Sequence, residues 1–97
     1  MRRLIIRREA EADIEEAKQW YDSISAQLGQ RFIDDLEISL TFILDHPTAC
    51  QVVYHNVRRD LLSHFPYGVF YKVEKDRIVV IACFHGKRDP RGWQERA

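Results

Sequence analysis

The sequence predicts one α+β domain in the order βααβββ, a helical hairpin packed on a small, mostly antiparallel sheet. Three observations predict this class. Apolar residues recur at helical spacing through the first half of the chain, the spacing changes to that of strands in the second half, and 97 residues are too few for two cores. The 45% share of hydrophobic residues, with only four glycines and three prolines, excludes a disordered low-complexity chain.

The first half predicts a short strand over residues 2–7 and two helices over 9–23 and 26–45. The second helix ends at His46-Pro47, because the residue before a proline avoids helical geometry. The linker is short, so the helices should pair as an antiparallel hairpin, with either Ser23 or Ser25 capping the second one. Gly29 lies on the apolar face and would allow a close approach. The apolar stripes are Ala10, Ile14, Ala17, Tyr21 and Ile24, then Phe32, Ile33, Leu36, Leu40, Ile43 and Leu44.

A second apolar pair lies on the back of the longer helix. At about 100° per residue, Ile38 and Phe42 point roughly opposite Leu36 and Leu40. Such a pair is either buried by a further layer within the monomer or left for a partner, and the spacing allows both.

The second half predicts three strands, Val57 to Leu62, Tyr67 to Glu74 and Arg77 to His85. The last strand is apolar on both faces from Ile78 to Phe84, so we expect it to be central in the sheet and covered on both sides. Residues 86–97 predict an irregular tail with at most one helical turn.

Charge is unevenly distributed along a chain with zero net charge. Residues 1–8 carry a net +4, residues 9–45 carry ten acids against Lys18 and Arg31, and residues 46–97 carry a net +4. The acidic stretch is either a solvated helical surface or one of two faces that meet different partners. A neutral total argues against a general nucleic-acid binder.

The sequence does not indicate a membrane protein, a secreted protein or a metalloprotein. The longest apolar run is far too short for a membrane span, and the N-terminus lacks the features of a secretory signal, so we expect a cytoplasmic protein with reduced thiols. The two cysteines, Cys50 and Cys83, form no metal-binding pattern, and the four histidines form no ligand pair. We therefore predict no metal and no cofactor.

The chemically informative cluster follows the last strand, with His85, Lys87, Arg88, Arg91 and Trp93 close together. Cations beside an aromatic ring can hold a phosphate backbone and stack a base, or anchor an acidic protein surface. The structural alternative has His85 bonded to the tail, Arg88 paired with Asp89, and Trp93 packed on the sheet. Arg58 and Arg59 must point to opposite faces of their strand, so only one of them can readily join this cluster.

A set of motifs covers nearly the whole chain: Ala12-Asp13-Ile14-Glu15-Glu16-Ala17 with Trp20-Tyr21, Leu28-Gly29-x-x-Phe32, Val57-Arg58-Arg59, Phe65-Pro66-Tyr67-Gly68-Val69-Phe70-Tyr71, Ile78 to Ala82, and His85-x-x-Arg88-x-Pro90-x-x-Trp93. Together with the order of the elements, these motifs resemble the RelE/ParE superfamily, the toxins of bacterial type II toxin–antitoxin modules.

The resemblance implies one of two functional classes on one fold. RelE-like members cleave messenger RNA on the ribosome and typically carry an arginine in a Tyr-Arg-x-x-Tyr stretch, where this chain has Gly68. ParE-like members poison DNA gyrase and show the Phe-Pro-x-x-Val-x-Tyr pattern present here. The resemblance therefore favours a ParE-like toxin without catalytic residues, neutralised by a cognate antitoxin.

We expect the target to be bound by Arg59, His85, Arg88 and Trp93, and the antitoxin by Trp20, Ile38 and Phe42. One alternative is a ribosome-dependent endoribonuclease, with His85 as the acid–base group and Arg59 and Arg88 as phosphate contacts. A second alternative is a non-toxic relative that acts only together with its antitoxin.

Overall fold

The computed structural model describes residues 2–97 and confirms the α+β class. The helices and strands follow the predicted order with one addition, β2. They are β1 (Arg3–Ile6), α1 (Arg8–Ile24), α2 (Ala26–Asp45), β2 (Gln51–Tyr54), β3 (Val57–Leu61), β4 (Tyr67–Val73), β5 (Arg77–His85) and α3 (Arg91–Gln94).

The five strands form one sheet in the order β1-β5-β4-β3-β2. Only β1 and β5 pair in parallel, and the other three pairings are antiparallel. β5 therefore lies inside the sheet, as its apolar run predicted, although β4 is the middle strand. Because β1 pairs with β5 only from Arg77 to Val80, the second half of β5 extends beyond its parallel neighbour.

The helical hairpin forms because a single residue, Ser25, separates α1 from α2. Ser25 Oγ accepts a hydrogen bond from the backbone N–H of Leu28, so Ser25 is the cap of α2 and Ser23 is not. Gly29 confirms the predicted close approach, because a Cβ there would overlap the carboxylate of Asp22 on α1. The two helices consequently pack as a rigid pair on one face of the sheet.

The sheet separates two hydrophobic clusters. The helix side buries the stripes of both helices against Val69, Tyr71, Ile78 and Val80. The opposite side is covered by the tail rather than by a long helix, since Trp93 of α3 packs there on Phe70 and Phe84. Residues 86–97, predicted as an irregular tail, thus complete a second core.

Strand β2 is absent from the predicted order. It is a four-residue edge strand with a register shift between Val52 and Tyr54. A two-residue turn, His55-Asn56, joins it to β3, and His55 has a φ of 50°, in the left-handed region that histidine tolerates better than most residues. Val52-Val53-Tyr54 is a usable strand signal, but it is too short to stand out from a loop.

In the described part of the chain, neither helical length nor apolar character suffices for any helix to cross a membrane.

Candidate functional site

A hollow of about 650 Å³ lies where α1 meets the free half of β5. We call it the α1 hollow. Its walls come from the outer side of α1, the ends of β4 and β5, and the start of the tail. They are lined by Asp13, Glu16, Ala17, Gln19, Trp20, Ser23, Tyr67, Cys83, His85 and Arg88.

Asp13 forms the floor of this hollow, and its carboxylate is buried. It accepts hydrogen bonds from the backbone N–H of Cys83 at 3.1 Å and from Arg96 Nη1 at 2.6 Å. Arg96 Nη1 also donates to the carbonyl of Ile81 at 3.1 Å. Together these two side chains satisfy backbone groups of β5 that a longer β1 would otherwise bond.

In the sequence analysis, Asp13 was named only as part of the motif over residues 12–17 and was given no structural role. The missed signal was its spacing, three residues after Ala10 and four before Ala17, which places it on the apolar stripe. An acid on a buried face indicates a carboxylate with a specific partner.

His85 lies at the rim of the α1 hollow and is half-buried. Its Nδ1 accepts a hydrogen bond from the backbone N–H of Lys87 at 3.0 Å, and its ring packs edge-on against Tyr67 with 5.2 Å between centroids. The ring is thus held by the tail, as the structural alternative predicted, while remaining at the surface.

Arg88 does not pair with Asp89, which corrects the predicted contact. Its guanidinium lies over the ring of Phe84, 3.8 Å from the centroid, and Nη1 is 3.7 Å from Asp13 Oδ1. Asp89 instead binds Arg91 at 2.7 Å, and hydrogen bonds from Arg91 hold the pKa of Asp89 below its ordinary value. With 47% of its side chain exposed, Arg88 is a fixed yet accessible cation.

Trp93 is 6% exposed, which corrects the expectation that it presents a flat face to a partner. Its indole stacks on Phe70 with 4.3 Å between centroids and meets Tyr54 edge-on. Gly92 lies so close to Phe84 that a Cβ would approach Cε2 to 2.7 Å. Trp93 therefore anchors the tail on the sheet.

Arg59 lies on the face of the sheet opposite the helices. Its methylene groups cross over Gly68, where a Cβ would meet Cγ and Cδ of Arg59 at 3.1 Å. Arg58 points to the helix side and donates to the carbonyls of Thr48 and Cys50 at 3.1 and 2.7 Å. Because side chains alternate along strands, Arg59 and His85 face away from each other across the sheet.

The predicted target residues therefore do not form one cluster. His85 and Arg88 share the α1 hollow, Arg59 lies on the opposite face, and Trp93 is buried between strand and tail. The three residues of the nuclease alternative are likewise divided, since Arg59 is separated from His85 by the sheet.

The predicted antitoxin residues are also divided between two surfaces. Trp20 is 62% exposed on α1, beside the α1 hollow. Ile38 and Phe42 are exposed on the other flank of the hairpin, where α2 lies beside β3. Within residues 2–97, no further layer buries this pair, so the alternative of burial within the monomer is wrong.

Two ionisable groups of the α1 hollow, Cys83 and Tyr67, have raised pKa values. Burial raises the pKa of Cys83 to about 12 and raises that of Tyr67 above its ordinary value. The Cys83 thiol therefore stays protonated at neutral pH and is a poor nucleophile. The hollow presents Arg88 and His85 on one side and the exposed polar residues Glu16, Gln19 and Ser23 of α1 on the other, an arrangement suited to binding.

Comparison with known proteins gives a family and a fold. A family profile described as "ParE toxin of type II toxin-antitoxin system, parDE" matches residues 4–90. A solved structure described as "Chromosomal ParDE TA system from P. aeruginosa" superposes with a TM-score of 0.77 at 17% identity, covering 88% of this chain and 96% of that chain. A search of curated protein sequences gave no match.

Proposed function

We propose a function from one premise: this chain belongs to the family of ParE toxins of type II toxin–antitoxin systems, whose profile matches residues 4–90. On that premise, the protein inhibits growth by poisoning DNA gyrase and is neutralised when a cognate antitoxin binds it. The proposed mode of action is binding, with no covalent step carried out by the toxin.

The observation that carries this choice is the environment of Gly68. RNA-cleaving relatives of the superfamily resemble this chain in fold but carry an arginine at the matching position of their motif. Here the glycine leaves space that the stem of Arg59 fills, so a long side chain at position 68 would have to displace it. The missing cation at position 68 and the separation of Arg59 from His85 remove two contacts that could stabilise charge on a scissile phosphate, and leave Arg88 beside His85 in the α1 hollow.

For the target surface we propose Arg88 and His85, with Arg59 as a contact on the opposite face and Trp93 in a supporting role. Arg88 is held over Phe84 and beside Asp13, so little of its freedom remains to be lost on binding. Trp93 acts by fixing the tail that carries Arg88.

For the antitoxin we propose contacts on both flanks of the helical hairpin. Trp20 offers an exposed indole on one flank, and Ile38 and Phe42 offer an apolar pair on the other. A single antitoxin chain that reaches all three must cross the hairpin.

The test is an in vitro supercoiling assay with purified gyrase and purified toxin. We expect the wild-type protein to inhibit supercoiling, and Arg88→Ala to weaken inhibition about ten-fold, a loss in the range of a binding hot spot. Arg91→Ala is the matched control, because Arg91 is also an exposed tail arginine but pairs with Asp89. Equal effects of both substitutions would contradict a specific role for Arg88.

Expression in cells separates the alternatives. Gyrase poisoning predicts filamentation with a DNA-damage response, whereas ribosome-dependent cleavage predicts rapid loss of translation and cut transcripts. Cleavage of messenger RNA by purified toxin on translating ribosomes would overturn the proposal. Absence of any growth effect would indicate a non-toxic relative.

A further inference from the structure

One buried carboxylate in the floor of the α1 hollow serves two arginines. Asp13 makes its closest contacts with Arg96, whose Nη1 lies 2.6 Å from Oδ2 and whose Nη2 lies 3.2 Å from Oδ1. The second arginine, Arg88, is 3.7 Å from Oδ1, which is too long for a hydrogen bond. The three side chains therefore combine two positive charges with one negative charge, and Arg96 takes the larger share of the carboxylate.

The guanidinium of Arg88 is fixed in place but has few partners. It lies over the ring of Phe84, 3.8 Å from the centroid, and 47% of its side chain is exposed. Within residues 2–97, the long contact with Asp13 is its only ion pair, whereas a guanidinium has five N–H donors. Because packing already holds this side chain, it can bind an anion with little further loss of side-chain freedom.

His85 supplies a second donor on the same side of the hollow. Its Nδ1 accepts a hydrogen bond from the backbone N–H of Lys87 at 3.0 Å. A backbone N–H can only donate, so the neutral imidazole carries its proton on Nε2 and can donate from that atom. A fixed cation beside a neutral donor is suited to an anion that accepts more than one hydrogen bond.

The opposite wall of the hollow restricts which anion fits. Glu16 is exposed there and adds a negative charge, so a nucleic-acid strand, with a charge at every phosphate, is disfavoured relative to a single carboxylate. The planar fork of an arginine also matches a carboxylate in a bidentate pair. Trp20, which is 62% exposed, and Ala17 give the lining an apolar part. These features together select a carboxylate next to an apolar group.

We propose that the α1 hollow binds an acidic segment of the target protein. An aspartate or glutamate of that segment is bound by Arg88 and His85, and a neighbouring apolar side chain packs on Trp20. The ligand is thus an acidic protein surface rather than a phosphate backbone, the two classes that the sequence allowed. This inference rests on the proposed function, because it takes the target as the partner and specifies the chemistry of the segment that the target presents.

The test uses two capped tripeptides, Leu-Asp-Leu and Leu-Asn-Leu, which differ only in the carboxylate. Binding to the purified, isotope-labelled full-length toxin is measured by NMR titration, which follows the backbone N–H of Lys87 and the side-chain N–H groups of the arginines. We expect the aspartate peptide to bind at least about ten-fold more tightly, because only the carboxylate forms charge-assisted hydrogen bonds with Arg88. The difference should shrink at high salt.

Variants of the toxin locate the carboxylate. Arg88→Ala should weaken binding of the aspartate peptide about ten-fold, and Arg88→Lys should recover only part of this loss, because lysine lacks the bidentate fork. Arg96→Ala should weaken binding about five-fold although Arg88 is intact, because Asp13 can then pair with Arg88, whereas Arg96→Lys should stay near wild type. The matched control, Arg91→Ala, should leave binding unchanged, since Arg91 pairs with Asp89.

Trp20 gives an independent check, because it contributes apolar contact without charge. Trp20→Ala should weaken both peptides by the same factor, about three-fold. Leu61→Ala, which truncates an exposed apolar residue on β3, is the control and should change neither affinity. A loss confined to the aspartate peptide would contradict packing of an apolar side chain on Trp20.

Competition connects the hollow to the target. In the supercoiling assay, a saturating concentration of the aspartate peptide should relieve inhibition by the toxin, and the asparagine peptide should not. Full inhibition by toxin that has bound the peptide would overturn the target as the source of the carboxylate. A toxin that binds the peptide but never inhibits supercoiling would overturn the proposed function, while the peptide titration still supports the ligand class.

Four results would overturn the inference itself. They are equal binding of the two peptides, no binding of the aspartate peptide, unchanged affinity in Arg88→Ala, and an equal loss in Arg91→Ala. A short oligothymidylate that binds more tightly than the aspartate peptide, and loses affinity in Arg88→Ala, would overturn it in favour of a phosphate ligand.

Discussion

The two flanks of the helical hairpin differ in what completes them. On the α1 flank, the C-terminal tail returns to the sheet and places Arg96 and Arg88 on the buried carboxylate of Asp13. On the α2 flank, none of residues 2–97 covers Ile38, Phe42 and Leu61, which are exposed. The α1 flank is therefore closed by residues of the chain itself, whereas the α2 flank is open and leaves apolar side chains exposed.

This contrast assigns different roles to residues that look alike in sequence. An acid such as Asp13 stabilises the fold because it is buried with partners, whereas Asp34 and Glu37 are exposed at the surface, where Asp34 accepts a hydrogen bond from Gln30. We expect substitutions on the α1 flank to change the free energy of unfolding and those on the α2 flank to change binding.

The largest expected effect is that of Asp13→Ala. It removes the acceptor of the Cys83 N–H and leaves the guanidinium of Arg96 unpaired, so we expect a loss of about 3–5 kcal/mol in the free energy of unfolding. Urea denaturation measures it. Glu16→Ala, one turn along the same helix and exposed, is the control and should stay within about 0.5 kcal/mol of wild type. Equal free energies of unfolding for the two variants would contradict the structural role of Asp13 on the α1 flank.

Trp93→Ala should cost about 3 kcal/mol, because it leaves a cavity between the tail and Phe70. Calorimetry measures the shift in the unfolding midpoint. Arg91→Ala, in the same helical turn but exposed, should shift it little. If instead the indole contributes mainly by binding a target, Trp93→Ala will unfold like the wild type and lose only inhibition of supercoiling.

Alkaline pH gives a third test of the closed flank. Burial raises the pKa of Cys83 from 9.0 to about 12, so above pH 9 the unfolded chain loses a proton that the native chain keeps. Stability should therefore fall as pH rises between about 9 and 12, by on the order of 1 kcal/mol at pH 10 for this thiol. Cys83→Ala should show a smaller loss between pH 7 and pH 10. An unchanged slope would mean that the thiol is accessible to water.

The smallest expected change in stability is on the open flank. Ile38→Ser and Phe42→Ser replace exposed side chains, so each should alter the free energy of unfolding by less than about 0.5 kcal/mol. Circular dichroism and urea titration check this, and antitoxin affinity should fall in the same proteins. A loss comparable to that of Asp13→Ala would show that these two side chains belong to the core.

The elements were predictable because they depend on local periodicity. The spacing of Phe32, Leu36 and Ile43 determines α2, and the unbroken apolar run after Arg77 determines β5. Strand β2 was not predicted, because its four residues lie at the edge of the sheet and are only partly buried. Such a short strand shows no clear alternation of apolar and polar residues. The resemblance to the RelE/ParE superfamily also came from sequence alone. The family match over residues 4–90 confirms the prediction that the chain is ParE-like.

The candidate site was less predictable, since closeness in sequence did not mean a shared surface. His85, Arg88 and Trp93 lie within nine residues, yet the strand end and the turn after it send His85 and Trp93 to opposite sides of the sheet. Asp13 and Arg96, 83 residues apart, meet at 2.6 Å. No periodicity encodes such a pairing.

The sequence by itself determined the α+β class, the hairpin, the interior strand and the family, because each follows from local spacing or a motif. Only the tertiary structure decided that the tail covers one face and fills one flank, that Trp93 is buried, and that Ile38 and Phe42 are not. The physical reason is that burial depends on which distant segments return to a surface, and that return is set by the packing of the whole chain.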